Sequence, residues 1–195
     1  MHHSFLPEAA GRLPEPVALR DWQPQLPEGD LRSISLHWTA GDYRTVFPSY
    51  HFCISGPPAF VVHATRDVRA NMRDVRAAPS GSYAAHTAGR NSYALGVAAC
   101  AMQGATPHAF GDFPLVEEHV GALCRVAAIL ARRYGIAPSA VRTHAEAAAD
   151  DGYLGAGGDD ERWDLARLRP ARLALSATEA YVVGEHLRRQ IASGE

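Results

Sequence analysis

Residues 95–102 form an unbroken run of apolar and small side chains. A strand with one solvated face carries a polar side chain at every second position, whereas a continuous run is typical of a strand that is covered on both faces. Such strands occur mainly in parallel sheets, and helices cover the faces of these sheets. The run therefore predicts an α/β fold, with a central mixed sheet flanked by helices.

Shorter segments supply the other strands of this sheet. Residues 31–38 show a mixed period-two pattern and end at a turn-like cluster of small and polar residues. Residues 50–55 and 59–63 are two further short strands, and the Gly-Pro-Pro sequence between them predicts a hairpin. Residues 140–143 are a short strand that leads directly into His144.

Two segments have the periodicity of amphipathic helices. Apolar residues recur three and four positions apart over residues 114–134, which begin with a proline and are followed by Gly135, a residue suited to a left-handed C-cap. Residues 177–192 also carry one apolar face, and the spacing of Ser176 and Glu179 indicates a capping box at the start of this helix.

The chain has the size of one domain. It contains 195 residues, of which 47% are hydrophobic, and this is enough for a single core. Residues 1–30 contain five prolines, which disfavour helix, so we expect an extended arm there. Residues 31–168 hold the predicted sheet and form the core domain, and residues 169–195 add a C-terminal helix that packs on it.

Charge and hydropathy exclude several classes of partner. The formal net charge is −2 at pH 7 and no basic run is present, so nucleic-acid binding is not expected. No apolar stretch reaches the roughly 20 residues of a membrane-spanning helix. Residues 1–30 lack the apolar segment of a signal peptide, and we expect synthesis in the cytoplasm. Nothing in the sequence specifies an oligomer, and a monomer is expected.

Cysteine usage adds little about the cellular compartment. Cys53, Cys100 and Cys124 are odd in number and form no CxxC pair, so a disulfide framework is not expected. Free, buried thiols are the expected state of all three residues.

Three residues have side chains suited to a metal ion. His37 lies near the end of the first strand, His144 follows the short strand at 140–143, and Asp164 lies near the end of the core domain. Two imidazoles and a carboxylate suit catalytic zinc, which uses three protein ligands and leaves the fourth position for water. The histidines are far apart in the sequence and no local motif such as HExxH joins them, so spacing alone is weak support.

Segments around these residues match a known family in the correct order. The sequence resembles the zinc-dependent N-acetylmuramoyl-L-alanine amidases, the family that includes phage amidase-type lysozymes and animal peptidoglycan recognition proteins. The matching segments lie between residues 31 and 168 and are Leu36-His37-Trp38-Thr39-Ala40-Gly41, Ser49-Tyr50-His51-Phe52-Cys53-Ile54, Ala85-His86-Thr87-Ala88-Gly89-Arg90-Asn91 with Leu95-Gly96-Val97, Thr143-His144-Ala145-Glu146, and Gly158-Asp159 with Arg162-Trp163-Asp164-Leu165.

The resemblance implies a cofactor and a substrate. It implies Zn²⁺ bound by His37, His144 and Asp164, the last at a position that holds Cys in some relatives and Asp in others. It also implies hydrolysis of the amide bond between N-acetylmuramic acid and L-alanine, so the expected partner is peptidoglycan or a muropeptide. An antimicrobial phage endolysin, a secreted effector and a recycling enzyme all fit, and the first two would reach the cell wall by release or delivery through another system.

The resemblance also implies catalytic roles. Arg162 stands where relatives commonly have lysine and is expected to stabilise the oxyanion. Tyr50 matches a tyrosine of the phage-type relatives that orients water or hydrogen-bonds the intermediate. Some relatives carry a catalytic glutamate where this chain has Ala98, so the proton shuttle stays open. Glu146 is a second candidate, because a strand over 144–146 would turn both end residues to one face; the alternative is a carboxylate that orients an imidazole.

Two further residues are expected to bind substrate. His86 matches a histidine that lines the site without binding the metal, and substrate contact and a purely structural hydrogen bond both stay open. Asn91 is expected either to cap a turn or to contact the peptide. His51 is expected to pack on the opposite face of its strand from Tyr50, and the two tryptophans beside the ligands are expected to pack in the core.

Three functions therefore stand side by side. The first is a zinc amidase that cleaves peptidoglycan, and the second is a non-catalytic peptidoglycan-binding module on the same fold. The third is a zinc amidase for soluble muropeptides. The retained ligand set favours an enzyme, whereas the missing glutamate keeps the binding module open.

Overall fold

A six-stranded mixed sheet forms the centre of the molecule, in the strand order β1-β4-β3-β5-β2-β6. The computed structural model describes residues 13–155 and 162–194. Within them the strands are β1 (Val17–Ala18), β2 (Ser33–Trp38), β3 (Phe52–Ser55), β4 (Val61–Ala64), β5 (Ala94–Ala99) and β6 (Val141–Thr143), and the helices are α1 (Glu117–Tyr134), α2 (His144–Asp150) and α3 (Ala177–Ser193). The predicted α/β class is confirmed.

The apolar run at 95–102 forms the central strand, as predicted. β5 lies between β3 and β2, is parallel to both, and has all six residues buried. The strand ends at Ala99, earlier than the run itself, and Met102 has a φ angle of 74°. This left-handed conformation turns the chain away from the sheet after the strand.

The predicted hairpin is also confirmed. β3 and β4 are antiparallel, with Cys53 opposite His63. β1 adds an antiparallel edge strand through Val17 and Ala18, so part of the predicted extended arm belongs to the sheet. Residues 1–12 of that arm lie outside the described residues.

The first helix begins later than predicted. α1 starts at Glu117, not at Pro114, and ends at Gly135 with the expected left-handed φ of 65°. The delay has a local cause, because the preceding segment is tied to the loop after β5. Met102 N donates to Phe113 O, and the Pro114 carbonyl accepts a hydrogen bond from the Tyr43 hydroxyl.

The predicted capping box of the last helix is only half formed. Ser176 accepts a hydrogen bond from Glu179 N, as expected. The Glu179 carboxylate instead accepts a hydrogen bond of 2.6 Å from the buried guanidinium of Arg167. Arg167 also donates to four backbone carbonyls of the segments that flank α3, at Pro107, Ala171, Leu173 and Ala174.

The predicted short strand is confirmed as β6, but the residues after it form a helix. α2 begins at His144, directly after Thr143. A complete capping box holds this helix start: Glu146 N donates to the Thr143 hydroxyl, and Thr143 N donates to the Glu146 carboxylate.

The two faces of the sheet have different chemistry. On β2, Ile34 and Leu36 belong to the main hydrophobic core, and α1 packs against that side of the sheet. His37 points to the opposite face, where Ala98 of β5 is its neighbour and Cys53 lies one strand further.

The cysteines and the helices both bear on predictions made from the sequence. Cys53, Cys100 and Cys124 are free and buried, as predicted. In the part of the chain that the structure describes, no helix has the length and apolar character needed to cross a membrane.

Candidate metal centre

Two parallel strands and one returning segment bring the three predicted ligands together. His37 lies near the carboxyl end of β2, and His144 follows the carboxyl end of β6, the parallel neighbour of β2. Asp164 arrives from a later segment, which is tied to α2 because Ala145 N donates to the Asp164 carbonyl. The predicted convergence of these residues is confirmed.

The three side chains form a tight, buried group. Asp164 Oδ2 lies 3.2 Å from His37 Nδ1 and 3.4 Å from His144 Nδ1. One ligand atom from each residue can be chosen so that all three lie within 4.8 Å of one another. None of the three residues exceeds 7% exposure. This group could hold a metal ion.

Burial and hydrogen bonding set the charges of the group. Burial lowers the pKa of His37 to about 4, although the hydrogen bond with Asp164 opposes the shift. Burial alone would raise the pKa of Asp164, but hydrogen bonds from His144 and His37 reverse that effect and lower it. A neutral imidazole beside an ionised carboxylate is the protonation state that metal binding requires.

Thr87 supports the metal centre, and the sequence analysis missed it. Its hydroxyl lies 3.4 Å from His37 Nε2, on the side of the ring away from Asp164, and 3.1 Å from His86 Nδ1. A partner on the second ring nitrogen fixes the orientation of a ligating imidazole. The only signal was its place in the His86-Thr87 segment of the family resemblance.

His86 lies beside the ligands, as the resemblance implied. Its ring centroid is 5.4 Å from that of His37, and its Nε2 atom has no hydrogen-bond partner among the described residues. Gly96 makes room for this ring, because a Cβ atom at position 96 would lie 2.6 Å from it. Burial, followed by the nearby His37, holds the pKa of His86 well below its usual value.

Tyr50 also lies next to the metal centre. Its ring centroid is 5.1 Å from that of His37, and its hydroxyl lies 3.4 Å from the Trp38 carbonyl, to which it donates. Burial, with a smaller contribution from the charge of Asp164, raises the pKa of Tyr50. The hydroxyl therefore keeps its proton at neutral pH and can donate a hydrogen bond, but it cannot act as a base.

Asn91 and His51 build the loop that carries His86. The Asn91 side-chain oxygen accepts hydrogen bonds from His86 N and Thr87 N, which is the turn-forming role considered from the sequence. His51 Nε2 donates to Asn71 Oδ1, and its Nδ1 accepts from Gly96 N. The predicted alternation of residues 50 and 51 does not apply, because β3 begins only at Phe52.

Glu146 does not join the metal centre. Its predicted roles assumed a strand over 144–146, and this is wrong because these residues lie in α2. The carboxylate accepts a hydrogen bond from Thr143 N, forms an ion pair with Arg188, and packs against Gly184 of α3. Its position is thus explained by helix capping and packing between α2 and α3.

Arg162 places an exposed positive charge near the centre. Burial raises the pKa of both Tyr50 and Tyr153, and the positive charge of Arg162 opposes this rise at each hydroxyl. Gly158 and Asp159, the first part of the last matching segment, lie outside the described residues. Trp38 and Trp163 are buried and contact each other edge to face at 5.0 Å, as the expected core packing requires.

The chemistry of this centre is the basis for inferring a function. No protein-family model matches the chain, and neither the curated proteins nor the solved structures include one with significant similarity to it. The function must therefore be inferred from the fold and from the side chains of the site.

Proposed function

We propose that this protein is a zinc-dependent hydrolase that cleaves the amide bond between N-acetylmuramic acid and L-alanine of peptidoglycan. The observation that carries the proposal is the buried convergence of His37, His144 and Asp164 from three separate parts of the chain. The matching segments around these residues supply the substrate class, and the ligand chemistry supplies the reaction class.

Two of the three separations in the group suit zinc, and all three ligand atoms lie within 4.8 Å of one another. Ligand atoms about 2.0–2.1 Å from a tetrahedral zinc ion lie about 3.3–3.4 Å from one another. Asp164 Oδ2 lies 3.2 and 3.4 Å from the two imidazole nitrogens. Nitrogen and oxygen donors in this number fit zinc, and three protein ligands leave one coordination position open.

Each neighbouring side chain has a role in amide hydrolysis. Zinc, when bound, lowers the pKa of its water to about 7 and polarises a carbonyl group. The three ligands hold the ion, and Thr87 orients the His37 ring through its hydroxyl. Arg162 supplies a positive charge for the oxyanion, and its guanidinium offers hydrogen-bond donors in a planar fork.

Tyr50 serves as a hydrogen-bond donor in this scheme. Burial raises the pKa of its hydroxyl, so it can orient water or stabilise a developing negative charge, but cannot remove a proton. Ala98 lies directly opposite His37 in β5 and offers only a methyl group. Asp164, whose pKa is lowered, is the ionised carboxylate within the metal centre.

A second function is a non-catalytic peptidoglycan-binding module. Ala98 favours it, because the resemblance places a catalytic glutamate there in some relatives. The complete set of three buried ligands favours the enzyme, since binding alone does not need a metal centre with an open coordination position.

Metal analysis and product analysis test the proposal together. We expect about one zinc ion per chain in the wild-type protein, and loss of metal in His144→Ala and Asp164→Ala. Digestion of peptidoglycan should release stem peptides that begin with L-alanine, which mass spectrometry identifies. Exposed His186→Ala and Asp112→Ala are the matched controls and should keep both metal and activity.

Each alternative has its own outcome. Bound zinc without turnover of intact or soluble substrate would favour the binding module. Turnover of soluble muropeptides but not of intact sacculi would restrict the substrate to the soluble class. New reducing sugar ends without free peptides would contradict amide cleavage.

A further inference from the structure

Buried polar atoms without a partner are rare in folded proteins and often mark functional sites. In the described part of the chain, four side-chain atoms are of this kind: Trp38 Nε1, His86 Nε2, the Tyr153 hydroxyl and Arg167 Nε. The resemblance offered no role for Tyr153. Tyr153 as a whole is only partly buried, but its hydroxyl oxygen is buried. Other atoms of the residue therefore face solvent.

The fold holds Tyr153 close to the metal centre. Its backbone N–H donates to the Ala148 carbonyl at 2.9 Å, and Ala148 lies one helical turn after the ligand His144 on α2. Burial and then the charge of Asp151 raise the pKa of the Tyr153 hydroxyl, Arg90 and Arg162 oppose this rise, and Asp164 makes a smaller contribution. The ring is thus attached to the helix that supplies one ligand and lies within the electrostatic reach of another.

A salt bridge joins the Tyr153 segment to the loop of His86. The Arg90 guanidinium makes two hydrogen bonds to the Asp151 carboxylate, at 3.1 and 2.7 Å. Gly152 follows with a φ of 79°, a left-handed conformation that suits glycine, and turns the chain toward Tyr153. The backbone on either side of Tyr153 is therefore held in place.

We propose that Tyr153 is a substrate-binding residue whose hydroxyl donates a hydrogen bond to a carbonyl oxygen of the stem peptide. This inference rests on the proposed function. A protonated phenol that has no acceptor among the described residues can donate its O–H to an acceptor from outside the chain. Peptide carbonyl groups beside the scissile bond are such acceptors, and the positive charge of Arg162, which acts on this hydroxyl, favours oxygen-rich groups.

The fold predicts a difference between two tyrosines. The Tyr134 hydroxyl, on α1, donates to the Pro27 carbonyl at 3.1 Å and lies on the arm side of the molecule. Its removal leaves that carbonyl without its partner, whereas removal of the Tyr153 hydroxyl leaves no group among the described residues without a partner. A substrate-binding hydroxyl should therefore affect affinity and not stability, and Tyr134 should do the reverse.

The experiment compares Tyr153→Phe and Tyr134→Phe with the wild-type protein. The free stem peptide that begins with L-alanine is the probe, because it cannot be hydrolysed at the proposed bond. We expect Tyr153→Phe to weaken its binding by about three- to tenfold in calorimetry, the effect of one neutral hydrogen bond, with the same rise in KM and an unchanged kcat. The melting temperature should not fall, whereas Tyr134→Phe should lower it by about 2–4 °C and bind normally.

The outcomes separate this inference from the proposed function. Unchanged peptide affinity in Tyr153→Phe, or a fall of kcat at constant KM, would overturn substrate binding by Tyr153 while wild-type turnover still supported the amidase. A melting temperature lowered as in Tyr134→Phe, with normal binding, would assign the hydroxyl a structural partner. Absence of both peptide binding and turnover in the wild-type protein would overturn the proposed function and this inference with it.

Discussion

Two clusters of buried polar side chains lie next to each other in this fold. The first, the asparagine network, consists of His51, Asn71 and Asn91. The second is the metal centre of His37, His144 and Asp164, and the His51 and His86 rings, only 5.9 Å apart, connect the two regions. Both contain buried histidine, and both contact β5, where Gly96 N donates to His51 and Ala98 lies opposite His37.

The two clusters differ in how many of their buried polar atoms have hydrogen-bond partners within the chain. In the asparagine network, the Asn71 side-chain oxygen accepts from His51 and from Ala84 N, and its amide donates to the Ala84 and Asn91 carbonyls. Around the metal centre, His86 Nε2 and the Tyr153 hydroxyl have no partner among the described residues. Burial alone therefore does not single out His51, whose ring nitrogens both have partners, whereas two buried polar atoms near the ligand set have none among the described residues.

The largest expected effect is on stability, in the asparagine network. Asn71→Ala leaves the Ala84 N–H and two carbonyls buried without a partner, and should lower the free energy of unfolding by about 3–5 kcal/mol. Urea denaturation of metal-free protein measures this. Exposed Gln25→Ala is the control. A loss below about 1 kcal/mol would show that water or rearrangement replaces these bonds.

The next effect concerns rate alone. Arg162→Ala should reduce kcat/KM on muropeptides by about 10²–10³-fold, since one group that stabilises an oxyanion contributes about 2.7–4 kcal/mol. The free energy of unfolding should change by less than about 0.5 kcal/mol, because the side chain is exposed. Exposed Arg172→Ala is the matched control. If Arg162→Ala lowered the free energy of unfolding but left kcat/KM unchanged, Arg162 would act on stability, as the asparagine network does, and not on catalysis.

Residues whose environment is local were predictable from the sequence. The apolar run indicated β5, the Gly-Pro-Pro turn indicated the β3–β4 hairpin, and Gly135 indicated the end of α1. The convergence of His37 with His144 was predictable only through the family resemblance. It depends on the parallel pairing of β2 with β6, which no local pattern specifies.

The errors have physical causes. The spacing of Glu146 from His144 suits a strand of period two, on which its role as a proton shuttle depends, yet Thr143 and Glu146 also have the spacing of a capping box, and these residues form a helix. Thr87 and Tyr153 could not be recognised, because their significance lies in contacts, or missing contacts, with residues that are distant in sequence.

A smaller effect tests the link between the two regions. Thr87→Val removes the hydroxyl beside His37 Nε2 and keeps the shape of the side chain, and should weaken metal binding by about 10–100-fold. Thr87→Ser keeps the hydroxyl and should bind metal as the wild type does. Competition with a chromogenic chelator measures both affinities. Equal affinities for the two variants would show that Thr87 does not orient the ligand.

The smallest expected effect is a gradual loss of folding stability in acid, caused by His51 of the asparagine network. Burial lowers the pKa of His51 from 6.5 to about 3, although its hydrogen bond to Asn71 opposes the shift, and the charges of Arg66 and Asp67 act in opposite directions. Below pH 6.5 the unfolded chain binds a proton at this residue that the folded chain does not bind. His51 therefore contributes stability that is complete above pH 6.5 and is lost progressively toward pH 3, by up to about 1.4 kcal/mol per pH unit.

Denaturation of metal-free protein between pH 7 and pH 4.5 measures this slope. His51→Gln cannot titrate, and its amide can still donate to Asn71, so its unfolding free energy should depend less steeply on pH than that of the wild type, by up to one proton. Imidazole resonances should show His51 neutral at pH 5 in the folded protein. If the His51 ring becomes protonated near pH 6 without unfolding, water must reach the asparagine network. The network would then not be more completely hydrogen-bonded by the chain than the metal centre.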